Sequence, residues 1–490
     1  MWTLLCALLL AAPADPQLDD SAERLLRAQR QVVILGGADR SAMHRAMQLK
    51  DAPATEGWYP TWSRVYGAYM PEDLVLDGGE QGLLAPVVGV RASVWTGLGS
   101  LSPQGTLGDS EAGLLSVRGR AELVAYTPWY EVRVSPELWV DAPTVQVGFP
   151  IREAYGGFRH GPWQAGFGTE RRYVGPSRHG ALVFGDDAWS VPMGQVAYEG
   201  KIGRAGALRV HVGAGWLQRQ RLDVEYPGII LMDFRWAPTS WLELGATRFG
   251  LFGGQGRPLP SLGQLILPTK PHIYDDPNQE EPDQDEIAAF DARITVPLPG
   301  ALDYLEVYTQ YGGDDLIVNR DLGFPRPQLA GIANLAGAEL SAGPWVLGAE
   351  WARLRDDYFR WYQGHRIYHQ GFTQEGRYLG HPNGGDQDTL WLRAGFFPGT
   401  WGGQVQVERV RTTQVMELLN DTLFVGLEEQ ERWRVQASAV YHPPQGGRWR
   451  IGYEVERIEG SNFVPGPTLT QHRVLLERQG VPYVLVGAGK

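Results

Sequence analysis

From about residue 87 almost to its end, the chain alternates apolar and polar side chains with a period of two. Near 115–125, Leu115, Val117, Ala121, Leu123 and Ala125 share one face, and Ser116, Arg118, Arg120 and Glu122 the other. The rhythm returns with Phe290, Ala292, Ile294 and Val296 against Asp291, Arg293 and Thr295. It returns again with Trp433, Val435, Ala437 and Ala439 against Arg432, Arg434, Gln436 and Ser438, and with Trp449, Ile451, Tyr453 and Val455 against Arg450, Glu454 and Glu456. A period of two belongs to strands with one apolar and one polar face.

Soluble sandwiches alternate too, so the connections must decide. Tight ones fall at Ala237–Ser240, Pro297–Gly300, Ala342–Pro344, Pro398–Thr400 and Pro443–Gly447; long ones fall at 249–286, 312–328, 355–389, 412–430 and 459–469. Short turns on one rim and long loops on the other predict an up-and-down transmembrane barrel. Trp236, Trp241, Trp345, Trp351, Trp401, Trp433 and Trp449 lie near strand ends, where an interfacial girdle needs them. The predicted fold is therefore all-β: an antiparallel up-and-down barrel of about eighteen strands, eleven of them from residue 228 onward and about seven before it, including segments near 144–150 and 163–168. An even count puts both ends of the barrel on the short-turn, periplasmic side.

Residues 1–14 read as a secretory signal, 15–85 as a small periplasmic helical region or plug, and 86–490 as the barrel. No stretch offers the ~18 uninterrupted apolar residues of a membrane helix, so membrane residence must be as a barrel. The sole cysteine, Cys6, falls in the signal, which leaves the mature chain without disulfides. The formal net charge of −12 and the lack of a basic run exclude nucleic acid as a partner. Aromatics make up 11% of the chain, with Trp and Tyr outnumbering Phe, a skew that suits bilayer or sugar interfaces.

Residues 358–386 concentrate aromatic, histidine and glycine residues without any strand or helix period, which marks a long functional loop. Two readings stand. In one, Trp361, Tyr362, Tyr368 and Tyr378 stack on sugar rings while His365, Arg366, His369, Gln370, Arg377 and Asp386 hydrogen-bond to hydroxyls. In the other, the same side chains fold the loop onto itself and close the barrel mouth. The Gly384–Gly385–Asp386 turn reads as architectural. A metal set of His365, His369, His381 and Asp386, and a glycosidase pair of Asp386 and Asp388, have little to support them. Neither cofactor nor metal is expected. The acidic run 275–286 reads as a solvated loop, with divalent-cation collection as the alternative. Inward charges such as Arg118, Arg120, Glu131, Arg133, Arg293, Glu408, Arg432, Arg434, Glu454 and Glu456 could line a conduction path, but the expectation is that they pair across strands and tie the lumen shut against a plug.

Several strings resemble the capsule assembly Wzi family. Within the aromatic stretch the likeness is carried by Tyr362, His365, Ile367, Tyr368, Gly371, Phe372, Gly376, Leu379, Gly380, Gly384, Gly385 and Asp386. Leu242–Pro258 and Asp275–Ile294 add to it, as do Phe167, Gly168, Gly175, Pro176, Gly180, Leu182, Gly185, Asp186 and Ala188, although Tyr173 and Val174 stand where the family favours paired tryptophans. The resemblance implies an eighteen-stranded outer-membrane barrel with an N-terminal helical bundle at its periplasmic end. It also implies a non-enzymatic surface lectin that binds capsular polysaccharide. Outer-membrane lipid and the barrel-insertion machinery would be its other partners. A sugar or small-anion porin is the alternative, and a surface glycan hydrolase the third reading.

Overall fold

The computed structural model describes residues 87–98, 115–126, 130–142, 146–148, 150–170, 172–185, 188, 190–239, 241–266, 284–319, 326–355, 361–362, 365, 367–375, 377–397, 401–413, 416–418, 422–424, 429–441, 448–460, 468–479 and 484–486. The expected signal and helical region at 1–85, most of the acidic run, and Arg366 lie outside them.

One sheet of 20 strands dominates, two of which are three-residue additions at Gln146–Gly148 and Val484–Val486. The other eighteen run antiparallel, each beside its neighbours in chain order. The first, Val87–Leu98, pairs both with Leu115–Tyr126 and with the last long strand, Leu469–Gln479, so the ring of pairings has no free edge. As the turn pattern predicts, eleven long strands follow residue 228 and seven precede it. The segment expected as a strand near 144–150 contributes only Gln146–Gly148, and the next long strand is Ile151–His160. Pro136 and Pro150 explain the break. Neither has an N–H for the ladder, the register shifts between Ser135 and Pro136, and the Glu137 N–H reaches the Pro150 carbonyl at 2.9 Å.

Burial is inverted relative to a soluble barrel. Phe290 is 53% exposed and Asp291 only 6%, and Trp433, Val435, Trp449 and Ile451 face out while Arg432, Arg434, Arg450 and Glu456 face in. Apolar side chains outside and charges inside are what a lipid-facing wall requires. Inward charges pair across strands as expected: Arg235 with Asp291 at 2.5 Å, Arg293 with Glu243 at 2.7 Å and Arg434 with Glu408 at 2.9 Å. At the short-turn rim Trp345 meets Phe396 at 4.4 Å and Trp401 meets Tyr441 at 4.3 Å, while Trp351 and Trp433 mark the long-loop rim.

Candidate functional site

The connection between strands Trp163–Thr169 and Pro192–Lys201 does not stand away from the long-loop rim; it turns back into the lumen. Its Ala181–Leu182–Val183–Phe184 run is fully or almost fully buried, since four successive apolar residues cannot be left in water. Val174 N–H bonds to the Phe184 carbonyl at 2.8 Å and closes the segment as a loop. Gly175 turns with φ +122, a conformation suited to glycine, and a Cβ there would lie 2.3 Å from the Gln310 amide.

At the tip, the backbone N–H groups of Arg178, His179 and Gly180 converge on the Glu350 carboxylate at 2.8, 3.2 and 3.1 Å, and the Tyr308 hydroxyl joins them at 2.7 Å. Consecutive N–H groups form a concavity for an anion, which the wall itself supplies here. Arg178 Nη2 donates to Glu306 at 2.6 Å, His179 Nε2 to Glu408 at 2.7 Å, and Leu182 N–H to Gln310 Oε1 at 3.2 Å. The acceptors sit at inward positions of Tyr304–Asn319, Trp345–Arg353 and Trp401–Thr413, so one segment is pinned to separate parts of the wall. The His179 ring also stacks on Trp391, 5.2 Å away at 8°.

The aromatic stretch closes over this plug. Trp361 Nε1 and the Tyr362 hydroxyl both donate to the Leu182 carbonyl, at 3.2 and 2.6 Å, and the Tyr362 oxygen accepts the His381 N–H at 2.7 Å. The Tyr368 hydroxyl donates to the Gly253 carbonyl at 2.9 Å. Phe372, Phe249 and Phe184 continue the contact, with successive ring centroids 5.0 Å apart. The loop 217–227 is tied in by Arg221, which donates to the Thr373 and Gly371 carbonyls at 2.8 and 2.9 Å, and by Asp223, which accepts the Gln370 N–H at 2.8 Å. The three segments therefore form one cap.

Charge states in the cap follow from burial and hydrogen bonding. Burial alone raises the Asp223 carboxyl, but bonds from Arg221 and from the N–H groups of Gln370 and Val224 outweigh it and leave it below the usual carboxylate range. Burial, helped by His179 and Arg432 and opposed by Glu408, pushes His381 down to about 3, so the ring is neutral at ordinary pH. Burial drives the Tyr362 phenol upward and keeps it a hydrogen-bond donor.

Of the residues expected to bind sugar, Trp361, Tyr362 and Tyr368 are 2%, 0% and 1% exposed. As folded they offer no ring face to a polymer. Their apolar area is used in the cap core, and their polar atoms are spent on the Leu182 and Gly253 carbonyls. His365 is half-buried and its Nδ1 accepts the Ile367 and Tyr368 N–H groups at 3.2 and 3.3 Å. His369 is exposed, and Arg377, Tyr378 and Asp386 are half-buried. These five keep some access to solvent.

Sequence reasoning missed the lumenal role of Arg178, His179 and Glu350 and the tie made by Arg221. The one available signal was an apolar ALVF run inside a long connection. Among the described residues no three His, Cys, Asp or Glu side chains are grouped to hold a metal.

A family profile described as capsule assembly protein Wzi matches residues 115–472. The solved structure of Wzi from Escherichia coli, described as an outer-membrane carbohydrate-binding β-barrel involved in group 1 capsule assembly, is 17% identical. The match covers 96% of this chain and 100% of that one with a TM-score of 0.65, which shows a shared fold. Pseudomonas aeruginosa OprD is 8% identical, covering 83% and 98% of the two chains at a TM-score of 0.48. OpdQ of the same organism is 11% identical, covering 80% and 96% at 0.45. No curated protein sequence matches the chain.

Proposed function

The chain belongs to the family of capsule assembly protein Wzi, and from that premise we propose that it is an outer-membrane surface lectin that holds capsular-type polysaccharide without chemically altering it. In this reading residues 1–14 are removed on export, 15–85 lie in the periplasm, and the long loops face the cell exterior. Outer-membrane lipid surrounds the barrel, and the barrel-insertion machinery places it there.

The observation that carries the reading is the cap. Loops that would leave a diffusive pore open are instead pinned across it by the Glu350, Glu306 and Glu408 carboxylates. What a pinned cap offers is a preorganised outer surface, which lowers the ordering cost of each contact with a chain-like ligand. His365, His369, Arg377, Tyr378 and Asp386 have the right chemistry for sugar hydroxyls and C–H faces. Weak contacts repeated along a polymer then hold by avidity.

Retention on immobilised capsular polysaccharide tests the proposal. The wild-type protein should be retained, and His369→Ala combined with Arg377→Ala should cut retention several-fold while heat-modifiable gel migration stays normal. A steady open-channel current in planar bilayers with no retention would favour the porin reading, and release of reducing ends would favour a hydrolase.

A further inference from the structure

The outward side chains of the wall can be followed rung by rung, because facing residues are in register. Across Trp345–Arg353, Gln387–Phe396, Trp401–Thr413, Glu429–Tyr441 and Arg448–Glu459, one rung reads Ala349, Leu392, Val407, Val435 and Val455. One step nearer the long-loop rim it reads Trp351, Leu390, Arg409, Trp433 and Arg457. The next reads Arg353, Asp388, Arg411, Glu431 and Glu459. Aliphatic, then aromatic and cationic, then fully charged is the profile of acyl chains giving way to headgroups. These rungs therefore place the bilayer boundary on this sector.

Four guanidinia against three carboxylates meet there, in a chain of formal net charge −12. Two of the guanidinia are loosely held: Arg353 is 3.9 Å from Asp388 and Arg411 is 4.0 Å from Glu431, with side chains 54% and 46% exposed. Glu431 is already engaged by Arg409 at 2.6 Å and by Trp433 Nε1 at 3.0 Å. Arg409 lies over the Trp433 ring at 5.3 Å, and Arg457, 59% exposed and paired with the similarly open Glu459 at 2.6 Å, roots on the strand at the other side of that ring. With strands about 4.8 Å apart, Arg409 and Arg457 bracket the indole across roughly 10 Å.

We propose that these two rungs bind the phosphate-bearing headgroup of an outer-leaflet glycolipid. Arg411, Arg409 and Arg457 take the phosphate oxygens, since guanidinium forks match phosphate geometry. Trp433 takes the apolar side of the sugar. A lipid fits better than a soluble anion, because the site opens sideways onto the bilayer and continues directly into the aliphatic wall. The proposal rests on the reading that the long loops face the exterior.

The test uses the detergent-purified full chain and lipid A carrying both phosphates, with its dephosphorylated form as control. Binding is read by native mass spectrometry and tryptophan fluorescence. The wild type should bind the phosphorylated form at least tenfold more tightly. The double variant Arg411→Gln, Arg457→Gln should lose that preference, while Arg411→Lys, Arg457→Lys retains part of it and shows that a folded wall can report the change. Equal affinity for the two lipid A forms, an unaffected Gln variant, or equal binding of phosphatidylglycerol would overturn the site. Polysaccharide retention should be unchanged in the Gln variant. Loss of retention by the wild type would count against the lectin reading alone.

Discussion

Glu350 is the anchor most exposed to a decisive test. Replacing it with alanine removes the acceptor for three backbone N–H groups, at residues 178, 179 and 180, and for the Tyr308 hydroxyl. A hydrogen bond to a charged group contributes on the order of 1.5–3 kcal/mol, and a buried donor left without a partner costs a similar amount. Four donors sharing one carboxylate do not add independently. Arg178 with Glu306, His179 with Glu408, and Leu182 with Gln310 still hold the segment. A total loss of about 3 kcal/mol is therefore a conservative figure, and at 1.4 kcal/mol per decade it raises local opening roughly a hundredfold. Glu350→Gln keeps one carbonyl acceptor but no charge, and about a tenfold rise is expected. Amide hydrogen exchange of a peptide spanning 172–185 is the direct readout, because the effect is local and barrel strands should exchange as before. Protection at 178–180 equal to wild type in the alanine variant would refute the lumenal anchoring.

Arg221→Ala should remove the guanidinium that donates to the Gly371 and Thr373 carbonyls, weaken the cap by about 2–4 kcal/mol, and expose the 355–386 connection to limited proteolysis while the barrel core stays intact. Gly180→Ala places a Cβ 2.3 Å from the His381 ring, which Gln387 holds through a 2.7 Å bond, so about 1–3 kcal/mol of overpacking should appear as faster exchange in the same peptide. His381, whose folded pKa lies below its unfolded one, favours the closed cap at neutral pH. That contribution is complete above the unfolded pKa near 6.5 and declines as pH falls from there toward 3, so cap protection relative to intrinsic amide exchange should fall between pH 6 and 4 and lose this step in His381→Gln.

The barrel was legible because two independent signals agree. Alternation at Phe290–Val296 and Trp433–Ala439 shows which residues share a face, but not whether that face meets lipid or water. The alternating turn lengths supply the missing decision, and the exposure of Phe290 beside a buried Asp291 bears it out. Glycine and aspartate at the turns do the rest: Gly343 turns with φ +53, and its N–H and the Ser341 hydroxyl are both held by Asp303 at 2.9 Å. The lumenal plug was not legible, since Arg178 meets Glu306 from 128 residues away and His179 meets Glu408 from 229. No local period encodes a contact of that range. Pro136 and Pro150 likewise punctuate a strand region without stating which side of the break the ladder resumes on.

In the aromatic stretch composition leaves two readings open, and the fold of the loop bears on the choice. Tyrosines and tryptophans serve equally as a displayed sugar platform and as the core of a large loop, so the count of rings decides nothing. Their glycines do decide. A Cβ at Gly380 would lie 2.1 Å from the Tyr362 hydroxyl, one at Gly384 would lie 2.5 Å from the Tyr378 ring, and one at Gly385 would lie 1.9 Å from the Trp361 carbonyl. A ring displayed to solvent needs no bare backbone beneath it, whereas a ring or aromatic backbone packed flat against another strand of the same loop does. Trp361, Tyr362 and Tyr378 each meet a glycine six to twenty-four positions further along, which is the mark of a loop folding around its rings. The polar residues His369, Arg377 and Asp386 keep access to solvent, and they are the ones the proposed sugar contacts rest on.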